Sequence, residues 1–125
     1  MQRRTFTLAT ASLAAAQPQE KPKSMYGLIG KMLATPGQRD TLIQYLLEGT
    51  QSMPGCLSYI VSKDALEENA IWITEVWDTK ESHDTSLQLP AIKATIAKAR
   101  PLIAGFEKGT ATIPVGGQGL PHTKA

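Results

Sequence analysis

The chain has few side chains suited to chemistry, and they fall close together in sequence. His83 is the residue type that changes charge near neutral pH, and it lies just beyond Trp77. One role for it is a general base that takes a proton from a substrate hydroxyl; the other is a surface histidine among Glu81, Ser82, Asp84 and Thr85. Trp77 either packs in a core or lines a pocket and offers its indole N–H. Tyr59 carries a hydroxyl that wants a partner when buried. Glu75 is a carboxylate at an otherwise apolar position, so it is expected to be paired or functional. Arg100 either clamps an anion or oxyanion or forms a salt bridge with Glu75 or Glu107. The chemistry on offer is proton removal from a hydroxyl and stabilisation of the oxyanion left behind.

Other chemistries are excluded more firmly. Two histidines and one cysteine, with no acid–histidine pair on a recognisable metal face, argue against zinc or iron. Cys56 alone cannot make an intramolecular disulfide, and it reads as a small buried hydrophobe. No glycine-rich loop joins a strand to a helix at phosphate-binding spacing. No apolar run approaches the roughly 20 residues of a membrane helix. The formal charge of +2 comes from Arg3 and Arg4; without them eleven basic residues face eleven acidic ones. A neutral body has no electrostatic footprint for nucleic acid.

The 125 residues allow one domain. Residues 25–34, apolar and broken by Gly27 and Gly30, suit a buried strand, and Thr35-Pro36-Gly37 is expected to open a helix. Leu42, Leu46, Gly49 and Met53 recur at helical spacing until Pro54-Gly55 stops the run. Residues 56–63 and 70–77 read as strands around the polar hairpin 64–69. Asp78 with Glu81 is the expected cap of a short helix, and Pro90 starts another. Ile92, Ile96, Ala99 and Ile103 mark its buried stripe, Pro101 bends it and Gly105 ends it. Residues 106–115 supply the last strand before a loose tail, 116–125.

The order β-α-β-β-α-β is the α+β, ferredoxin-like arrangement, with four antiparallel strands and helices on one face. In the third strand Ile71, Ile73, Glu75 and Trp77 share one face, and Trp72, Thr74 and Val76 the other. Helices cover only one of these two apolar faces, so a symmetric homodimer packed sheet against sheet is expected.

Residues 1–16 pair Arg3-Arg4 with a mildly apolar stretch ending in Ala14-Ala15-Ala16, the layout of an export signal, and resemble a twin-arginine signal. The expected location is periplasmic or secreted, the alternative being a cytoplasmic protein with an N-terminal arm. Residues 17–24 (QPQEKPKS) read as a linker, which starts the domain near Met25.

The strand Trp72 to Asp78 (WITEVWD), preceded by Pro54 to Tyr59 (PGCLSY), resembles the antibiotic biosynthesis monooxygenase domain, in particular its small quinol monooxygenase-like members. Lys31 to Gly37 and Pro101 to Ala104 fit the same pattern, so the resemblance covers about residues 25–115. It implies a dimeric α/β barrel that oxidises a small phenolic or quinol substrate with O2 and uses no metal, flavin or other cofactor. It implies a mostly apolar pocket between sheet and helices, with His83 as base and Trp77, Tyr59, Arg100, Glu75 and Ser86 as substrate-binding residues. Many relatives place histidines where this chain has Ser86 and Ala91, so His83, about one turn earlier, stands in for the base. If it does not, the chain is a non-catalytic binding or stress-response dimer. A third reading is a structural dimer without a ligand, which requires that no cavity lie beside Trp77. Haem-degrading relatives use a histidine of the later helix, and residues 90–105 contain none.

Overall fold

The computed structural model describes residues 24–123; the export and linker expectations for residues 1–23 lie outside the described residues. Five strands, three helices and a 3-10 turn follow in the order β1 Tyr26–Ala34, α1 Arg39–Gly49, β2 Cys56–Lys63, β3 Ala70–Trp77, α2 Lys80–Ser86, α3 Pro90–Ala99, the turn Arg100–Leu102, β4 Ile103–Phe106 and β5 Thr110–Thr112. The sheet is antiparallel with strand order β2-β3-β1-β4, and β5 pairs with β1 beside β4. This is the ferredoxin-like arrangement expected from the element order.

Strand register sets the two faces. Trp77, Glu75, Ile73 and Ile71 of β3 stand opposite Tyr26, Leu28, Gly30 and Met32 of β1, and from Glu75 onward opposite Tyr59, Val61 and Lys63 of β2. The helices cover this side. Met32, Ala34, Leu42, Leu46, Ile71, Ile73 and Ala99 form the core between them. Trp77 is 1% exposed, whereas Trp72 on the opposite face is 37% exposed. Ile29 and Ile60 are exposed on that open face with it.

Several local expectations are corrected. Helix α1 starts at Arg39, because Gly37 has φ 79 in the turn before it, and it ends at Gly49 rather than near Met53. Gly49 sits where the helix meets α3, and a side chain there would collide with Thr95. Helix α2 is capped by Thr79, whose hydroxyl accepts from the Ser82 N–H at 3.1 Å, and not by Asp78. The chain leaves the last helix through the 3-10 turn at Pro101 and is already a strand at Ile103, so Gly105 lies inside β4.

The last strand of residues 106–115 is likewise two strands. Strand β4 pairs with Met32, Leu33 and Ala34, β5 with Gly27, Leu28 and Ile29, and residues 107–109 arch between them beside Gly30 and Lys31. In the tail, Gly117 bridges to Leu120, and the Thr123 N–H donates to the Val115 carbonyl at 2.8 Å.

The hairpin 64–69 is more than a solvated turn. Asp64 accepts the backbone N–H groups of Leu66 and Glu67 at 2.9 and 2.8 Å and the Trp72 indole N–H at 2.7 Å. Lys31 crosses the open face to Glu67 at 3.0 Å and Glu107 at 3.4 Å. No helix among the described residues is long and apolar enough to cross a membrane.

Candidate functional site

Between the covered face of the sheet and the helices lies a cavity of about 460 Å³, within the size range of small-molecule sites. Its wall is largely aliphatic, from Leu46 of α1, Ile73 of β3 and Ile92 and Ile96 of α3. Ile96 is 39% exposed, and its apolar surface faces this space. Tyr59, Glu75, Trp77, His83 and Ser86, five of the six site residues expected from sequence, stand in the same wall. Arg100 does not. It is exposed in the 3-10 turn, outside the cavity wall, and among the described residues it pairs with neither Glu75 nor Glu107.

The strand β3 places Glu75 and Trp77 on one face because side chains two residues apart point the same way. Here they bond to each other: the Trp77 indole N–H donates to Glu75 Oε1 at 2.9 Å. That bond removes the indole N–H from the donors available to a ligand, which corrects the expectation that Trp77 offers it. Glu75 keeps Oε2. This oxygen has no partner among the described residues, and no buried side-chain oxygen there lacks one, so Oε2 is accessible in the cavity.

The Tyr59 hydroxyl is likewise without a protein partner among the described residues. Burial pushes its pKa well up, and the nearby Glu75 carboxylate and Cys56 push it further. A phenol so placed stays protonated and acts as a hydrogen-bond donor.

His83 is carried by the seven-residue helix α2, and its side chain is only 16% exposed. The imidazole packs edge-on against Trp77, ring centroids 5.5 Å apart, and against Tyr26 at 5.4 Å. Its Nδ1 lies 3.1 Å from Asp84 Oδ1. Asp84 is held below the usual carboxylate range, first by Lys80 at 2.7 Å and then by His83. An ionised carboxylate only accepts, so Nδ1 is the donor in this contact, which orients the ring and leaves Nε2 without a partner in the contact. Ser86, the buried polar residue of the core, donates to the His83 carbonyl at 2.6 Å and steadies the turn that carries the imidazole. The open faces of the helix do not serve this site: His83 is a half-enclosed histidine, not the surface histidine that its polar neighbours suggest.

Sequence reasoning missed Tyr26 and Asp84. Tyr26 was findable only through register, since it stands opposite Trp77. Asp84 is adjacent to His83, and its role depends on the side-chain rotamer. Among the described residues no group of three or more His, Cys, Asp or Glu is arranged to hold a metal ion.

The sequence model of the family described as antibiotic biosynthesis monooxygenase matches residues 25–98. A crystal structure from Chloroflexus aurantiacus, of a protein provisionally named as such a monooxygenase, is 61% identical and superposes with a TM-score of 0.76, covering 78% of this chain and 100% of that one. A similarly named protein from Deinococcus radiodurans is 28% identical with a TM-score of 0.62, covering 74% of this chain and 94% of that one. An uncharacterized protein of Synechocystis is 30% identical over 78 residues, 60% of this chain and 53% of the relative, so the match spans about half of that relative's length.

Proposed function

Because the chain belongs to the antibiotic biosynthesis monooxygenase family, we propose that it is a monooxygenase that oxidises a small phenol or quinol with O2 and needs no metal or organic cofactor. The observation that carries this reading is the convergence of His83, Tyr59 and the Glu75–Trp77 pair on one apolar cavity. The substrate ring lies among aliphatic and aromatic side chains. Nε2 of His83 takes the proton of its hydroxyl, while Asp84 holds Nδ1–H and stabilises the imidazolium that forms. The Tyr59 O–H donates to the phenolate oxygen. Deprotonation makes the ring electron-rich enough to reduce O2. One oxygen atom replaces hydrogen on a ring carbon, the other leaves as water, and the substrate supplies all four electrons. Hydroquinone plus O2 thus gives hydroxybenzoquinone plus water.

The protein acts as a homodimer in this proposal. Trp72, Ile29 and Ile60 form an apolar face that the helices do not reach, and a second copy packed sheet against sheet covers it. The N-terminal residues direct export to the periplasm or beyond, which sequencing of the mature N-terminus checks; a cellular protein still beginning at Met1 overturns that part.

The decisive experiment is oxygen uptake by metal-stripped protein with a panel of quinols. Uptake that disappears in His83→Ala supports the mechanism; uptake that is unchanged removes His83 from it. A second reading, a non-catalytic binding dimer, draws on Ser86, which stands where many relatives have a histidine and uses its hydroxyl on the His83 carbonyl. It requires that quinols raise the melting temperature with no oxygen consumed and no product formed.

A further inference from the structure

The net charge of the folded body is close to zero, yet the charge inside the cavity is not balanced. Five residues of its wall have ionisable side chains, Lys31, Tyr59, Glu75, His83 and Glu107; Tyr59 is a neutral phenol, and the Lys31 ammonium lies on the open-face side over Trp72. Lys31 and Glu107 pair with each other at 3.4 Å, and Lys31 also holds Glu67 at 3.0 Å. His83 is engaged through Nδ1 with Asp84. Glu75 has no cationic partner within 4.0 Å among the described residues; its single hydrogen bond is to the neutral Trp77 indole, through one oxygen only. The cavity therefore contains one uncompensated carboxylate, enclosed by apolar side chains that weaken the screening by water.

We infer that Glu75 selects the ligand by charge. It admits small aromatic molecules that carry, besides the hydroxyl acted on at His83, a second uncharged or cationic hydrogen-bond donor, and it rejects aromatic carboxylates. The second donor meets Oε2, which has no partner among the described residues. A ligand carboxylate in the same place meets another carboxylate with no cation between them, and it loses its hydration without compensation. A quinol or a hydroxylated benzyl alcohol or amine satisfies the requirement; a hydroxybenzoate does not. The inference rests on the cavity being the ligand site of the proposed function, but it does not depend on turnover.

The test is binding of a matched series, 4-hydroxybenzylamine, 4-hydroxybenzyl alcohol, 4-methylphenol and 4-hydroxybenzoate, to the full-length protein by calorimetry without turnover. The amine and the alcohol bind more tightly than 4-methylphenol, and 4-hydroxybenzoate binds at least about tenfold more weakly than the alcohol. In Glu75→Gln, whose amide oxygen still accepts from Trp77, the penalty on the carboxylate falls to within about threefold of the alcohol. The inference is overturned if 4-hydroxybenzoate binds the unaltered protein as well as the alcohol does, if the amine and alcohol do not bind, or if Glu75→Gln leaves the ranking unchanged. Oxygen uptake is read separately: charge ranking without uptake sinks the monooxygenase reading alone, and uptake without charge ranking sinks this one alone.

Discussion

The indole N–H of Trp77 is bonded to the carboxylate of Glu75, 2.9 Å away on the same strand face. A tryptophan 1% exposed has to satisfy its N–H, and here it does so with the carboxylate two residues earlier. One pair thereby solves two burial problems and still presents a carboxylate oxygen to the cavity. Replacing Glu75 by Leu leaves the indole N–H unpaired and is expected to cost about 1–3 kcal/mol. Glu75→Gln keeps an acceptor and is expected to lie within about 1 kcal/mol of the unaltered protein. Urea unfolding of the two variants separates these outcomes.

Asp84 acts on the reaction only through His83. Asp84→Asn is expected to lower oxygen uptake by about 10–100-fold, because the ring loses the partner that fixes its tautomer and stabilises its charged form. Stability is expected to change little, since the Lys80–Asp84 pair is solvent-exposed. Equal losses of uptake and of folded protein would assign Asp84 a structural role instead.

Acid sensitivity is expected at the hairpin. The N–H of Glu67, the Trp72 indole and the N–H of Leu66 draw the Asp64 pKa from 3.8 down to about 2. The group binds protons less readily when folded, so its contribution is complete above the unfolded value and is lost as the pH falls from about 4 through about 2. Asp64→Asn is expected to flatten that part of the stability profile, measured as urea midpoints at successive pH values.

Gly55 has φ 84 between α1 and β2, and a side chain there would press on Ser82 and Asp78. Gly55→Ala is expected to destabilise by about 1–3 kcal/mol, as backbone strain adds to the crowding at the start of α2. A thermal melt within a degree of the unaltered protein would contradict it.

The open sheet face offers a further measurement. Ile60 is 52% exposed there, opposite Thr74 in register. Ile60→Asp puts a charge into the proposed interface, and sedimentation velocity is expected to show a monomer where the unaltered chain sediments as a dimer. A monomeric unaltered protein would remove the dimer from the proposal.

The amino-acid sequence by itself determined the order of elements as far as α3, the bounds of β2 and β3 and which side chains of β3 share a face. Those follow from short-range physics: period-2 alternation in 70–77, helical spacing at Leu42 and Leu46, and the proline at residue 90. It also singled out five side chains that meet at one cavity, because Glu75 and Trp77 share a strand face and His83 follows within two turns.

Only the tertiary structure decided what those side chains do. Whether Trp77 gives its N–H to a ligand or to Glu75 depends on rotamers selected by packing, and Arg100 falls in the 3-10 turn after α3, outside the cavity wall. The split of the last strand is of the same kind, since β4 pairs with Met32 to Ala34 and β5 with Gly27 to Ile29, contacts between residues far apart in the chain. Local spacing constrains which faces residues share; distances between residues far apart in the chain are set by the packing of all the elements at once.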